Sequence, residues 1–135
     1  MEVQTFFLCE NLQKIGSGNV WDVKKVALNS FFSIDGTFPL QVVLQFYLLV
    51  RREQRKNDEI ITFRFNLVDS DGKIKGTPKD IFVTGVFPDG HRFKHFYGEM
   101  SFSFPEKGDY RLDITADESK LMSIFSYGIE ITDKP

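Results

Sequence analysis

Between Leu40 and Arg51 the side chains alternate with a period of two. Leu40, Val42, Leu44, Phe46, Leu48 and Val50 are all apolar, whereas Gln41, Val43, Gln45, Tyr47, Leu49 and Arg51 are mixed. Successive side chains of a strand point to opposite faces, so this pattern predicts a long strand with one face in a core. The alternation returns in Ile61, Phe63, Phe65 and Leu67, set against Thr62, Arg64 and Asn66. It returns again in Phe96, Gly98, Met100, Phe102 and Phe104, in Tyr110, Leu112 and Ile114, and in Phe125, Tyr127, Ile129 and Ile131. "VQTFFLCE", "NVWDVKKVAL" and "DIFVTGVF" (Asp80 to Phe87) are further β-rich runs.

Turn residues punctuate these runs: "GSG" at 16–18, "DG" at 35–36, "DSDG" at 69–72, "PDG" at 88–90, "PEKGD" at 105–109 and "ADESK" at 116–120. Regular punctuation of seven to eight short strands predicts an all-β fold, a two-sheet antiparallel β-sandwich, as one domain over residues 1–135. The highly charged "RREQRKNDE" (Arg51 to Glu59) is expected to be a solvated hairpin loop joining the two central strands. One stretch competes for helix: Thr115 and Glu118 fit a capping box, and Leu121 and Phe125 stand four apart. The strand reading also explains Tyr127, Ile129 and Ile131, so a hairpin is expected there, with room for a short helical turn inside its loop.

Composition removes several functions. The formal charge is −2, against the positive excess of a nucleic-acid binder. There are 15 Phe but only one Trp and four Tyr, and Phe rings without a polar handle belong in a core. The longest apolar stretch, "VVLQFYLLV", spans nine residues, where a membrane-crossing helix needs roughly 20. The N-terminal segment has no signal-peptide pattern, and a lone cysteine, Cys9, cannot form an intrachain disulfide. The expectation is a cytoplasmic protein, without membrane insertion, in a reducing compartment.

The most specific local signature is "FSFPEKGDYRL", Phe102 to Leu112. Immunoglobulin-type sandwiches carry a tyrosine corner in such a segment, the Tyr hydroxyl bonding upstream backbone, and Tyr110 is placed for that role. Together with "NVWDV" (Asn19 to Val23), "FPL" (Phe38 to Leu40), "FNLVDSDGK" (Phe65 to Lys73) and "FPEKGDYRLDITADES" (Phe104 to Ser119), it makes the chain resemble a family of small uncharacterised bacterial proteins known only as a domain of unknown function. The resemblance implies an immunoglobulin-like sandwich and supplies no catalytic residues. A glycine-rich stretch before the Trp in that family is reduced here to "GSGN".

Candidate sites are few. In "DSDGKIKGTPKD" (Asp69 to Asp80), Asp69, Asp71 and Asp80 match positions of a calcium loop, but Lys73 stands where a ligand oxygen is needed and the glycine is displaced. Asp69, Asp71 and Gly72 are therefore expected to be turn residues. Calcium held by several loops would draw on Asp35, Asp69, Asp71 and Asp89. In one continuous strand His91 and His95 would stand about 13 Å apart, at about 3.3 Å per residue, too far for one metal ion unless a bulge or loop at Arg92 to Lys94 brings them together, and they are expected to be exposed. Cys9, beside Phe6, Phe7 and Leu8, is expected to be a buried thiol. "GSGN" lacks both phosphate-loop patterns, and no serine stands in a nucleophile elbow. Trp21 and the tyrosines offer the material of a sugar-stacking platform.

No catalytic, cofactor-binding or metal site is assigned. The expectation is a non-enzymatic binding or accessory module acting through protein–protein contacts, with Val43, Tyr47 and Leu49 as a candidate apolar patch. A homo-oligomer is compatible with it. The alternative is a small-ligand-binding sandwich, for carbohydrate or calcium-dependent lipid.

Overall fold

A computed structural model describes residues 1–16, 20–53, 58–116 and 125–135. Nine strands are described: β1 (Glu2–Ile15), β2 (Val20–Val26), β3 (Ser30–Phe32), β4 (Leu40–Arg51), β5 (Glu59–Asp69), β6 (Ile81–Phe87), β7 (Phe93–Phe104), β8 (Gly108–Ala116) and β9 (Phe125–Thr132). They form one sheet ordered β2-β1-β4-β7 and a second ordered β3-β9-β8-β5-β6. The protein is thus all-β and two-sheeted, an arrangement that fits a β-sandwich. The segment proposed for a capping box runs into residues 117–124, which lie outside the described residues.

The period-two pattern becomes the core. Leu44, Phe46, Leu48 and Val50 of β4 are buried, as are Ile61, Phe63, Phe65 and Leu67 of β5, Phe96, Met100, Phe102 and Phe104 of β7, and Tyr110, Leu112 and Ile114 of β8. Rings from the two sheets interlock. Phe65 lies 5.5 Å from Phe46 and 6.3 Å from Phe6, and Phe63 meets Phe96 edge-on at 5.0 Å. Close aromatic pairs of this kind add stabilisation beyond the area they bury. The edge strand β6 approaches β7 so closely at Gly85 that a Cβ there would sit 2.6 Å from the Phe96 ring.

Three expectations change. The central strands β4 and β5 are not a hairpin: β4 pairs with β1 and β7, and β5 pairs with β6 and β8 in the other sheet. Alternation marks which face of a strand is apolar but not which neighbour it takes, and crossing between sheets lets both apolar faces meet. Next, the pairing is not wholly antiparallel, because β3 runs parallel to β9. At three residues, β3 is also too short to show a period. Finally, Arg52 is not solvated. It is only 3% exposed, with its guanidinium 4.9 Å over the Phe87 ring.

The tyrosine corner is present. The Tyr110 hydroxyl donates to the Glu106 carbonyl at 2.7 Å and accepts from the Glu106 N–H at 3.3 Å. Its ring is buried against Phe104 at 5.2 Å, and burial raises the phenol's pKa. Tyr110→Phe keeps the ring but leaves both Glu106 backbone groups without this partner. The expected loss is about 1–3 kcal/mol, read as a lower urea midpoint at unchanged slope. An unchanged midpoint would contradict the corner's structural role.

Candidate functional site

The sequence-nominated residues disperse. Asp69 organises its own turn: its Oδ1 accepts the Asp71 N–H at 2.9 Å and the Lys73 N–H at 3.0 Å. These bonds, with nearby Lys75 and Lys73, hold its carboxyl below the usual range. Gly72 supplies the left-handed residue of the turn at φ 79°. Asp35 is engaged likewise, its Oδ1 accepting from the Thr37 hydroxyl (2.6 Å), the Thr37 N–H (3.0 Å) and the Ser33 hydroxyl (3.0 Å), which lowers its pKa to about 2. Asp89 stands at the other end of the fold. It follows β6, whose Phe87 pairs with Glu59 at the start of β5, whereas Asp69 ends β5 opposite Tyr110. The length of β5 separates these ends by about 33 Å, so the four aspartates do not meet. Among the described residues no group of three or more His, Cys, Asp or Glu is placed to hold a metal ion.

Cys9 is fully buried, and burial raises its thiol pKa, which suppresses the thiolate a nucleophile requires. Of the "GSGN" stretch, residues 17–19 lie outside the described residues. Val43 remains 58% exposed, but Tyr47 is covered, so the three-residue patch foreseen on β4 does not exist as a unit.

What covers Tyr47 is the most site-like feature of the molecule. In sheet order β2 stands three strands from β7, about 14 Å at ordinary strand spacing. Yet Trp21 of β2 meets Tyr97 of β7 edge-on at 4.7 Å and Tyr47 at 5.9 Å. The β1–β2 hairpin therefore curls over the outer face of its own sheet. The Leu12 N–H donates to Gln45 Oε1 at 2.5 Å, and Phe7 stacks on Tyr47 at 5.2 Å. Trp21 and two of the tyrosines thus meet. Tyr110 serves the corner instead, and the Tyr127 hydroxyl donates to the Leu28 carbonyl.

Beside this aromatic cluster opens a cleft of about 660 Å³, within the ordinary size range of small-molecule sites. The hairpin contributes Lys14 and Trp21, the turn after β6 contributes Pro88, Gly90, His91 and Arg92, and β7 contributes Phe93, Lys94, His95 and Tyr97. The two histidines share this cleft but not one environment. His91 is exposed in the turn, its N–H donating to the Pro88 carbonyl. His95 is half-buried, with Nδ1 hydrogen-bonded to the Tyr47 hydroxyl. Desolvation, then the charges of Lys94 and Lys14, lower the His95 pKa, and burial raises that of Tyr47.

Arg52 forms the support beneath the turn. Its Nε donates to the His91 carbonyl at 2.8 Å and its Nη2 to the Pro88 carbonyl at 2.9 Å, while its backbone N–H donates to the Arg92 carbonyl. A buried arginine amid a charged run gives no sequence signal, because the carbonyls it holds are more than 30 residues away, although Glu59 also stands 3.8 Å from its guanidinium.

The chain matches no family model and no curated protein.

Two outcomes follow from this geometry. Arg52→Met keeps much of the apolar stem but removes the bonds that fix the turn, and is expected to lower stability by about 1.5–3 kcal/mol, with faster amide exchange at Gly90 to Arg92. Equal exchange would refute the support role. For His95, a folded pKa below the ordinary 6.5 means that its contribution is complete above that value and is lost as pH falls through the folded pKa. Imidazole NMR should place the His95 midpoint below 6.5, and urea stability should decline less on acidification in His95→Gln than in the parent. A midpoint at or above 6.5 would contradict its placement.

Proposed function

We propose that this chain is a non-enzymatic binding or accessory module with an immunoglobulin-like sandwich fold, acting through protein–protein contacts. The observation that carries it is the free edge and outer face of the β5–β6 pair. Among the described residues β6 pairs only with β5, so its far edge presents unpaired backbone donors and acceptors. Ile81–Phe87 contains neither a charge nor a proline, the usual protections of an exposed edge. Phe82 is 60% exposed, and Ile60 of β5, which pairs with the exposed Val86 further along β6, is 73% exposed. Such an edge suits strand addition, in which backbone bonds give affinity and alternate side chains give specificity.

A second copy of this chain is the partner favoured by the strand's own pattern. Antiparallel pairing about Thr84 sets Ile81 opposite Phe87 and Phe82 opposite Val86, and aligns Lys79 with Asp89 beyond the apolar run. Light scattering after size-exclusion chromatography should show a concentration-dependent dimer that Phe82→Lys abolishes without loss of strand signal in circular dichroism. A monomer throughout the micromolar range, or a dimer indifferent to Phe82→Lys, would overturn the self-pairing.

Several features support the immunoglobulin-like reading. The order β9-β8-β5 with β6 alongside corresponds to the G-F-C sheet with an added C′ strand, and the β4–β7 pair opposite to B and E. The tyrosine corner then falls at the start of F, where that fold carries it. These features accord with the resemblance to the small bacterial family. A buried, unpaired Cys9 suits a reducing, cytoplasmic setting, and among the described residues no helix is long and apolar enough to cross a membrane.

The cleft beneath Trp21 favours a second reading, a small-ligand-binding sandwich. The carbohydrate form of it rests on the Trp21 and Tyr97 rings. The calcium-dependent lipid form is weakened because Asp35 and Asp69 are engaged in their own turns.

A further inference from the structure

Three cations converge on the cleft without ionic partners among the described residues. None of the ion pairs among the described residues involves Lys14, Arg92 or Lys94. The described residues that line the cleft include no carboxylate, although the chain as a whole carries a formal charge of −2. Arg92 is oriented by its Nε, which donates to the Arg52 carbonyl at 3.4 Å, and the turn next to it is held by Arg52. The charges are close enough to act on one another's surroundings, since those of Lys94 and Lys14 both bear on His95. Concentrating like charge in a concave site focuses a positive potential there.

The rest of the lining is aromatic. Tyr97 is 54% exposed and packs edge-on against Trp21. The indole N–H of Trp21 is buried and has no hydrogen-bond partner. A buried donor left unpaired has a free-energy cost.

We infer that this cleft binds a small anionic ligand built on a ring, its charged group held by Lys14, Arg92 and Lys94 and its ring seated against Trp21 and Tyr97. This deepens the second, ligand-binding reading and is independent of pairing at the β6 edge. The same chemistry is offered by a nucleoside monophosphate and by an acidic sugar. In the first the ring is a base and the anion a phosphate; in the second they are a pyranose and its carboxylate. Base–aromatic stacking is sequence-tolerant and sizeable, and an acidic sugar would use the same rings through its C–H face.

Trp21 is the sole tryptophan, so its emission reports on the cleft directly. The full chain, at low salt, is titrated with adenosine 5′-monophosphate, adenosine, glucuronic acid and glucose. The expected result is a saturable change with one or both anions at submillimolar concentration, at least tenfold stronger than with its uncharged counterpart, and weakened by added sodium chloride. A response to the monophosphate alone assigns a nucleotide, and to glucuronate alone an acidic sugar. Lys14→Glu with Lys94→Glu should weaken the anion response at least tenfold, its melting curve showing that the fold persists. If that variant does not fold, the comparison of charged with uncharged ligands in the parent decides alone. No saturable response to either anion up to 10 millimolar (roughly the weakest binding of interest, about 2.7 kcal/mol), or equal response to an anion and its uncharged counterpart, would overturn the inference. Binding at the cleft in a chain that proves monomeric would refute the self-pairing and leave this inference standing, so the two readings fail separately.

Discussion

Tilted and edge-on packing of phenylalanine rings between two sheets is the contact on which the rest of the structure depends. Eight phenylalanines are buried, and rings of β4 and β7 meet rings of β5 across the interface, while Phe102 and Phe104 also stack along β7. Apolar burial is worth about 25 cal/mol per Å², and each strand gains it only by presenting its apolar set to the opposite sheet. That requirement explains why β4 and β5, though consecutive long strands, part company. As hairpin neighbours they would lie in one sheet; in separate sheets their apolar faces oppose.

The outer faces then acquire different characters. On one sheet, the β1–β2 hairpin curls back and sets Trp21 against Tyr47 and Tyr97, so the cleft is made by a sheet folding over itself. On the other, the β5–β6 edge has no such cover, and Ile60 and Phe82 stay in solvent. The hairpin covers only part of its own outer face, since Val43 and Tyr97 stay exposed there. Arg52 links the core to the cleft, since its guanidinium lies over Phe87 at one end of the core while holding the turn that lines the cleft.

The strands and their buried faces were readable from residue order alone, because side-chain direction in a strand has a fixed period and needs no knowledge of neighbours. Tyr110 was readable for a similar reason: the atoms it bonds are only four residues away. The turn roles of Asp69 and Gly72 were equally local. β3 was not visible because three residues cannot display a period, and its parallel partner is about a hundred residues distant in sequence.

The cleft lies at the opposite extreme. Lys14, Trp21, Arg92 and Lys94 are unremarkable singly, and no spacing rule joins residues 14 and 21 to residues 92–97. Their convergence depends on which strand β4 pairs with, on the curl of the hairpin and on a buried arginine bonded to backbone atoms. The sequence by itself determined the strand periodicity, the apolar faces, the local turns and the tyrosine corner, since each is a property of residues within a few positions of one another. Only the tertiary structure decided sheet membership, the burial of Arg52 and the meeting of three cations with a tryptophan, because long-range pairing is selected by the packing of whole faces and not by any one segment.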